Sequence, residues 1–123
     1  MKDDIKILIV EDEAITAMYL QFQLKKLNYN ALKPVGSGEN AIKIAIKEKP
    51  QIVLMDIGLA GKMDGIQTAK EIHAFSKPYI IFMTGYHDDE LREKAKSIKS
   101  SSYLTKPICI PDIINIIHTI ELN

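Results

Sequence analysis

Four segments of this chain run from an apolar stretch directly into residues capable of chemistry. Ile5 to Val10 ends in Glu11-Asp12-Glu13. Ile52 to Met55 ends in Asp56, followed by Ile57 and Gly58. Tyr79 to Met83 ends in Thr84-Gly85, and Ser102-Tyr103-Leu104-Thr105 ends in Lys106-Pro107. Clustered carboxylates repel, and they stay ionised at neutral pH only when a metal or a lysine compensates them. Two or three oxygen ligands with open water positions suit Mg²⁺ (or Mn²⁺), which keeps several waters and bridges to phosphate. An aspartate beside such a metal can act as a nucleophile and form an aspartyl phosphate. A hydroxyl and an ammonium around the phosphoryl oxygens would then stabilise the charge on the transferring group.

Taken singly, these residues have plainer readings. Glu11-Asp12 would open a helix, where acids complement the dipole. Asp56 would cap a loop, Thr84 would be a turn hydroxyl, and Lys106 a solvated charge. The pattern means more only if the four ends lie on one edge of one sheet.

The intervening segments predict such a sheet. Ile5 to Val10 is apolar and β-branched, as in a central strand. Ile15, Met18, Tyr19 and Phe22 follow at helical spacing, with Leu20, Leu24 and Leu27 widening the stripe, so this face is expected to pack on the sheet. Ala31 to Val35 predicts a weaker strand, set towards an edge by Pro34. Ser37 is the expected cap of a second helix, with Glu39 in its first turn and Ala41, Ile42, Ala45 and Ile46 facing inward. Ile52 to Met55, bounded by Pro50 and Gly58, reads as a strand buried on both faces.

A loop broken by Gly58 and Gly61 leads to a third helix carrying Ile66, Ala69 and Ile72 to about Phe75. Pro78 then sets up the strand from Tyr79 to Met83. A fourth helix, from about Asp88 to Ser97, is strongly charged and has only Leu91, Ala95 and Ile98 to bury, so it reads as marginal. After the last short strand, Pro111 at the first helical position and Asp112 start a final helix with Ile113, Ile116, Ile117 and Ile120 on one face. This alternation implies a parallel sheet covered on both faces, with right-handed crossovers. The expected fold is α/β, a flavodoxin-like doubly wound (βα)5 with five parallel strands in the order 2-1-3-4-5. The carboxyl ends of its strands share the edge where ligands bind.

The 123 residues suit one domain, spanning 1–123. Lys+Arg 16 against Asp+Glu 16 leaves no basic excess for nucleic acid or an anionic membrane. No apolar run approaches the roughly 20 residues of a membrane span, and Met1-Lys2-Asp3-Asp4 resembles no signal peptide. One cysteine, Cys109, excludes an internal disulfide and fits a reducing, cytoplasmic setting; between Ile108 and Ile110 it reads as a small buried hydrophobe. His73, His87 and His118 are scattered as surface residues, without metal spacing.

As a set, Leu8-Ile9-Val10-Glu11-Asp12-Glu13, Val53-Leu54-Met55-Asp56-Ile57 with Met63-Asp64-Gly65, Phe82-Met83-Thr84-Gly85 and Tyr103-Leu104-Thr105-Lys106-Pro107 resemble the receiver domain of two-component response regulators. The resemblance spans essentially the whole chain and implies residue roles. Asp56 would accept a phosphoryl group from a phosphohistidine on a histidine kinase or histidine phosphotransfer protein. Asp12 and Asp56 would ligate Mg²⁺ by side chain and Gly58 by its main-chain carbonyl, with Glu11 helping directly or through water. Lys106 would pair with Asp56 and then with the phosphoryl group, and its bond to Pro107 would be cis. Thr84 would move to the phosphoryl oxygen and Tyr103 would swing inward behind it, remodelling the surface of the fourth helix, fifth strand and fifth helix. The domain would modify and demodify only itself.

Some positions depart from the pattern. Glu11 stands where many members have Asp, and Lys99-Ser100 where many have a Gly-Ala-like pair. Gly58 and Tyr86 offer no carboxylate or amide to position an attacking water, so a long-lived phosphoryl group is expected, and Tyr86→Glu should shorten its life. Nothing follows the last helix, so no DNA-binding or enzymatic output module is expected within the sequence. A stand-alone regulator is one reading. The other is a receiver cut from a longer regulator or hybrid kinase, which the run Met55 to Glu71 resembles. Ile114 lies off the core stripe of the last helix and, with Ile110, would form a small apolar patch for an unknown downstream partner or a twin subunit, the plainer reading being a single exposed isoleucine.

Two other classes fit less well. A phosphatase with a metal-assisted aspartyl nucleophile would want a second acid where Gly58 stands. A flavin or nucleotide carrier would want a Gly/Ser/Thr-rich loop where Glu11-Asp12-Glu13 would repel phosphate.

Overall fold

Parallel strands need a crossover between them, and this chain supplies a helix each time. The structure, a computed structural model, describes residues 4–85 and 88–121. In chain order the elements are β1 (Lys6–Val10), α1 (Ala14–Lys26), β2 (Asn30–Ala31), α2 (Gly38–Glu48), β3 (Ile52–Asp56), α3 (Gly65–His73), β4 (Tyr79–Thr84), α4 (Asp89–Ala95), β5 (Ser101–Thr105) and α5 (Ile110–Glu121). The sheet is five-stranded and parallel in the order β2-β1-β3-β4-β5, as expected. β1 therefore lies between β2 and β3, where the winding reverses direction. A crevice opens at such a switch point.

Successive side chains of a strand point to opposite faces, and the core divides accordingly. Leu8, Val10, Val53, Met55, Ile80 and Phe82 pack towards α2, α3 and α4, meeting Ala41, Ala45, Ile66, Ala69, Ile72 and Ala95. Ile7, Ile9, Ile52, Leu54, Ile81 and Met83 pack towards α1 and α5, meeting Ala17, Leu20, Leu24, Ile113 and Ile117. Each fully buried aliphatic side chain contributes about 1.5–3 kcal/mol, so the central strands are the rigid frame of the sheet edge.

α1 turns a different face inward from the one expected. Ile15 is 82 % exposed, Met18 66 %, Tyr19 49 % and Phe22 60 %. Leu20 and Leu24 of the expected stripe are buried, with Ala17 beside them, while Leu27 is exposed. At about 100° per residue the two apolar stripes lie on roughly opposite sides of the helix. The stripe that includes the small Ala17 lets the helix approach the sheet more closely.

β2 is shorter than expected because Lys33-Pro34 interrupts pairing. Val35 rejoins as an isolated bridge to Val10. Ser37 does cap α2, accepting from the Asn40 amide at 3.2 Å. Ala41 and Ala45 face inward, Ile42 is half-buried, and Ile46 is exposed.

Four further expectations change. α5 begins at Ile110, making Pro111 its second residue, and Cys109 is exposed rather than buried. The Cys109 carbonyl accepts from the Asp112 amide at 3.1 Å, so its backbone starts the helix while its thiol faces solvent. Ile110 and Ile114 are half-buried against the α1/α5 core cluster and form no open patch. His73 is half-buried, with Nε2 3.0 Å from the Pro78 carbonyl, whereas His118 is exposed and His87 lies outside the described residues. At the turn before β5, Ser100 takes the left-handed conformation with φ 55°, so this turn is built without glycine.

Candidate functional site

Each strand end delivers its residue to the same edge. Glu11 follows β1, Asp56 closes β3, Thr84 closes β4, and Lys106 follows β5. Glu11, Asp12 and Asp56 each place a carboxylate oxygen within 4.8 Å of the others. Lys106 Nζ lies 3.3 Å from Glu11 Oε1 and 3.4 Å from Asp56 Oδ1. Among the described residues this acidic trio is the one group of three or more potential metal-ligating side chains. The Lys106-Pro107 peptide is cis.

Backbone contacts fix the carboxylates. The Gly58 amide donates to Asp56 Oδ1 at 3.1 Å, and the Glu13 amide donates to Glu11 Oε2 at 3.1 Å. The Ala60 amide donates to Asp12 Oδ2 at 3.4 Å. α3 packs tightly beneath the acceptor. A Cβ on Gly65 would collide with the main-chain oxygen of Asp56 and come within 2.9 Å of Ile57 Cα. Only glycine permits that approach. The neighbouring Asp64 starts α3 with a capping box, exchanging hydrogen bonds with Gln67.

The electrostatics are those of a compressed charge cluster. Glu11 and Asp56 are buried, at 4 % and 6 % exposure, whereas Asp12 is exposed. Burial, followed by the nearby Asp56 charge, pushes the Glu11 carboxyl up from 4.5 to about 7, against the lowering pull of the Glu13 amide and Lys106. Burial also works to lower the Lys106 ammonium, but the charges of Asp56 and Glu11 outweigh it and hold it above its ordinary value. Glu11 Oε1 is buried and accepts no hydrogen bond from the described residues; its contact is the ion pair with Lys106. An underused buried carboxylate oxygen beside two further carboxylates is a hard-oxygen donor set, and it fits Mg²⁺.

Thr84 and Tyr103 lie on the other flank. The Thr84 hydroxyl is buried, donates to the Leu104 carbonyl at 3.3 Å, and accepts from Arg92 Nη2 at 3.3 Å. Tyr103 is 41 % exposed, and the Arg92 guanidinium carbon sits 5.3 Å from its ring centroid. Arg92 carried no distinguishing signal in the sequence, being one charge among many on a charged helix. Asp88 was equally silent. Its carboxylate accepts from the Gly85 amide at 2.6 Å and lies 3.4 Å from where a Cβ on Gly58 would be. Tyr86 lies outside the described residues.

The comparisons agree with this geometry. The family model described as "Response regulator receiver domain" matches residues 7–118. The transcriptional regulatory protein PdtaR of Mycobacterium tuberculosis is 34% identical over 109 residues, covering 89% of this chain and 53% of the relative. The signal receiver domain of a modulated diguanylate cyclase from Desulfovibrio desulfuricans superposes with a TM-score of 0.85 at 36% identity, covering 93% of this chain and 90% of that one. A CheY-like response regulator receiver domain from Methylobacillus flagellatus gives 0.83 at 25% identity, covering 94% and 98%.

The chain belongs to the response regulator receiver domain family. Receiver domains are phosphoacceptor signalling domains of two-component systems; they bind Mg²⁺ in general and interact with histidine kinases or phosphotransfer proteins. The chain spans about half the length of the curated relatives it matches, 53% and 42%. No helix among the described residues is long and apolar enough to cross a membrane.

Proposed function

We propose that this chain acts as one receiver unit in which Asp56 accepts a phosphoryl group from a partner's phosphohistidine. The observation that carries this is the cluster of three carboxylates within 4.8 Å, with Lys106 3.4 Å from Asp56, at the carboxyl edge of a parallel sheet. An Asp56 carboxylate oxygen forms the new P–O bond while the P–N bond breaks. The electron pair leaves with the imidazole nitrogen, which takes up a proton from solvent. Lys106 compensates Asp56 beforehand and the phosphoryl oxygens afterwards. Glu11, Asp12, Asp56 and the Gly58 carbonyl would hold a Mg²⁺ ion, which supplies charge neutralisation on the transferring oxygens.

After transfer, the Thr84 hydroxyl moves to a phosphoryl oxygen and Tyr103 turns inward, changing the surface formed by α4, β5 and α5 for a downstream partner. Hydrolysis of the product is slow. Gly58 contributes no side chain to position an attacking water. An exposed, unpaired Cys109 suits a reducing cytoplasm.

The phosphodonor protein docks on the exposed face of α1. Ile15 and Tyr19 of that face line a groove of about 590 Å³ together with Lys106, Pro107 and Ile108. The apolar strip is thus continuous with the wall of the acceptor site, and exposed apolar strips of this kind mark partner surfaces.

Two measurements test these statements. On incubation with acetyl phosphate and Mg²⁺, the wild type is expected to gain one phosphoryl mass and Asp56→Ala none; equal labelling of both would refute the assignment. Met18→Glu is expected to slow transfer from a phosphohistidine protein about tenfold, as loss of an interface anchor does, and to leave labelling by acetyl phosphate unchanged. Equal rates from the protein donor would remove α1 from the interface.

A further inference from the structure

We propose that Arg92 is the restraint that holds the resting switch, tying the Thr84 hydroxyl and the Tyr103 ring to one guanidinium. This rests on the reading of Thr84 and Tyr103 as the residues that move.

Arg92 stands one turn into α4. Its amide donates to the Asp88 carbonyl at 2.8 Å, and helical side chains lean back over the preceding turn. The guanidinium therefore lies over the end of β4. Its Nη2 donates to Thr84 Oγ1 at 3.3 Å, and its central carbon sits 5.3 Å from the Tyr103 ring centroid. The side chain is only 26 % exposed, so solvent screens these contacts weakly.

The Thr84 hydroxyl has one proton, and at rest it is given to the Leu104 carbonyl. Arg92 occupies the acceptor side of the same oxygen. To donate to a phosphoryl oxygen on Asp56, Oγ1 must release Leu104, and the rotation that does so carries it away from Arg92. Tyr103 lies beside this path, since Phe82 on β4 is its register partner on β5. For its ring to turn inward, it must slide from under the guanidinium. Both motions thus break a contact with one planar cation, and the loss of either weakens the hold on the other.

The restraint is also incomplete. Arg92 Nε is buried with no hydrogen-bond partner among the described residues, and a buried donor left unpaired raises the free energy of the state that contains it. The resting arrangement is therefore held by two contacts but burdened by one, as a switch that must be released by a single phosphoryl group requires. Phosphorylation need overcome only a shallow preference.

The test is the affinity of the full chain for beryllofluoride in Mg²⁺, measured by calorimetry. Arg92→Ala is expected to bind about fivefold more tightly than the wild type, the equivalent of ~1 kcal/mol. Thr84→Ala is expected to bind more weakly, and adding Arg92→Ala to Thr84→Ala should produce a smaller gain than it does in the wild type, since only the Tyr103 contact is then released. Arg92→Gln, which keeps a neutral donor for Thr84 but gives up the stacking on Tyr103, should fall between wild type and Arg92→Ala. It carries the test alone if the alanine variant does not fold. Unchanged or weaker binding in the Arg92 variants, with Thr84→Ala still weakened, would overturn the restraint while leaving the switch standing. No effect of Thr84→Ala would sink the switch reading and this inference with it.

Discussion

Around Asp56, charge does the positioning. Lys106 stands 3.3 Å from Glu11 and 3.4 Å from Asp56, both carboxylates are buried, and each accepts a backbone amide from the loop that follows it. Around Thr84, at the end of the neighbouring strand, the contacts are two hydrogen bonds at 3.3 Å and a stacked guanidinium, beside a ring that is 41 % exposed. The same sheet edge therefore carries a preorganised half and a loosely held half. Chemistry requires the first, because groups already in place cost no reorganisation at transfer. Signalling requires the second, because a side chain locked as firmly as Asp56 could not report a change.

The largest break in this contrast is expected from Lys106→Ala. It removes the cation shared by Glu11 and Asp56, and labelling by acetyl phosphate should fall about a hundredfold, the scale of losing one charge-stabilising donor. A loss of less than threefold would mean that charge compensation at Asp56 comes from elsewhere. Smaller is the effect of Tyr86→Glu, which offers a carboxylate for the attacking water and should speed decay of the labelled protein about tenfold, within the range for general acid–base assistance. Unchanged or slower decay would contradict the long-lived product.

The third test sharpens the contrast through pH. Glu11 rises from 4.5 to about 7 on folding, so between those values the folded chain holds a proton that the unfolded chain releases. Its contribution to stability is fully present below about pH 4.5 and is lost as pH climbs through about 7. Urea unfolding without metal should therefore show the wild type losing stability relative to Glu11→Gln over that window, and the two running parallel above it. Parallel curves throughout would show that Glu11 is not compressed against its neighbours. Mg²⁺ should flatten the difference, because a bound cation favours the ionised carboxylate.

How much of this could be read beforehand follows from what each residue depends on. β1, β3 and β4 were legible because their apolar runs suit only a buried strand, and once the alternation implied a parallel sheet, Glu11, Asp56, Thr84 and Lys106 had to share an edge. The α1 face was not legible, because both of its stripes are apolar and hydropathy favours the larger side chains. Packing chose Ala17 with Leu20 and Leu24, and left Ile15, Met18 and Phe22 outside. Cys109 was misplaced for a related reason: two isoleucine neighbours suggest a core position, but a residue at a helix start is placed by its carbonyl. The Asp64–Gln67 capping box had a sequence signature, an acid three residues before a glutamine at the head of an apolar-periodic run. Arg92 and Asp88 had none, since their roles depend on which way a short charged helix leans over the end of β4.

The central claim is that Asp56, and no other carboxylate on this edge, receives the phosphoryl group. It is tested most directly by labelling the wild-type chain with acetyl phosphate and Mg²⁺, reducing the acyl phosphate with borohydride, and locating the reduced residue by peptide mass spectrometry. Reduction at position 56 alone is expected. Reduction at Asp12 or Asp88, or a chain labelled equally well as Asp56→Asn, would contradict the account.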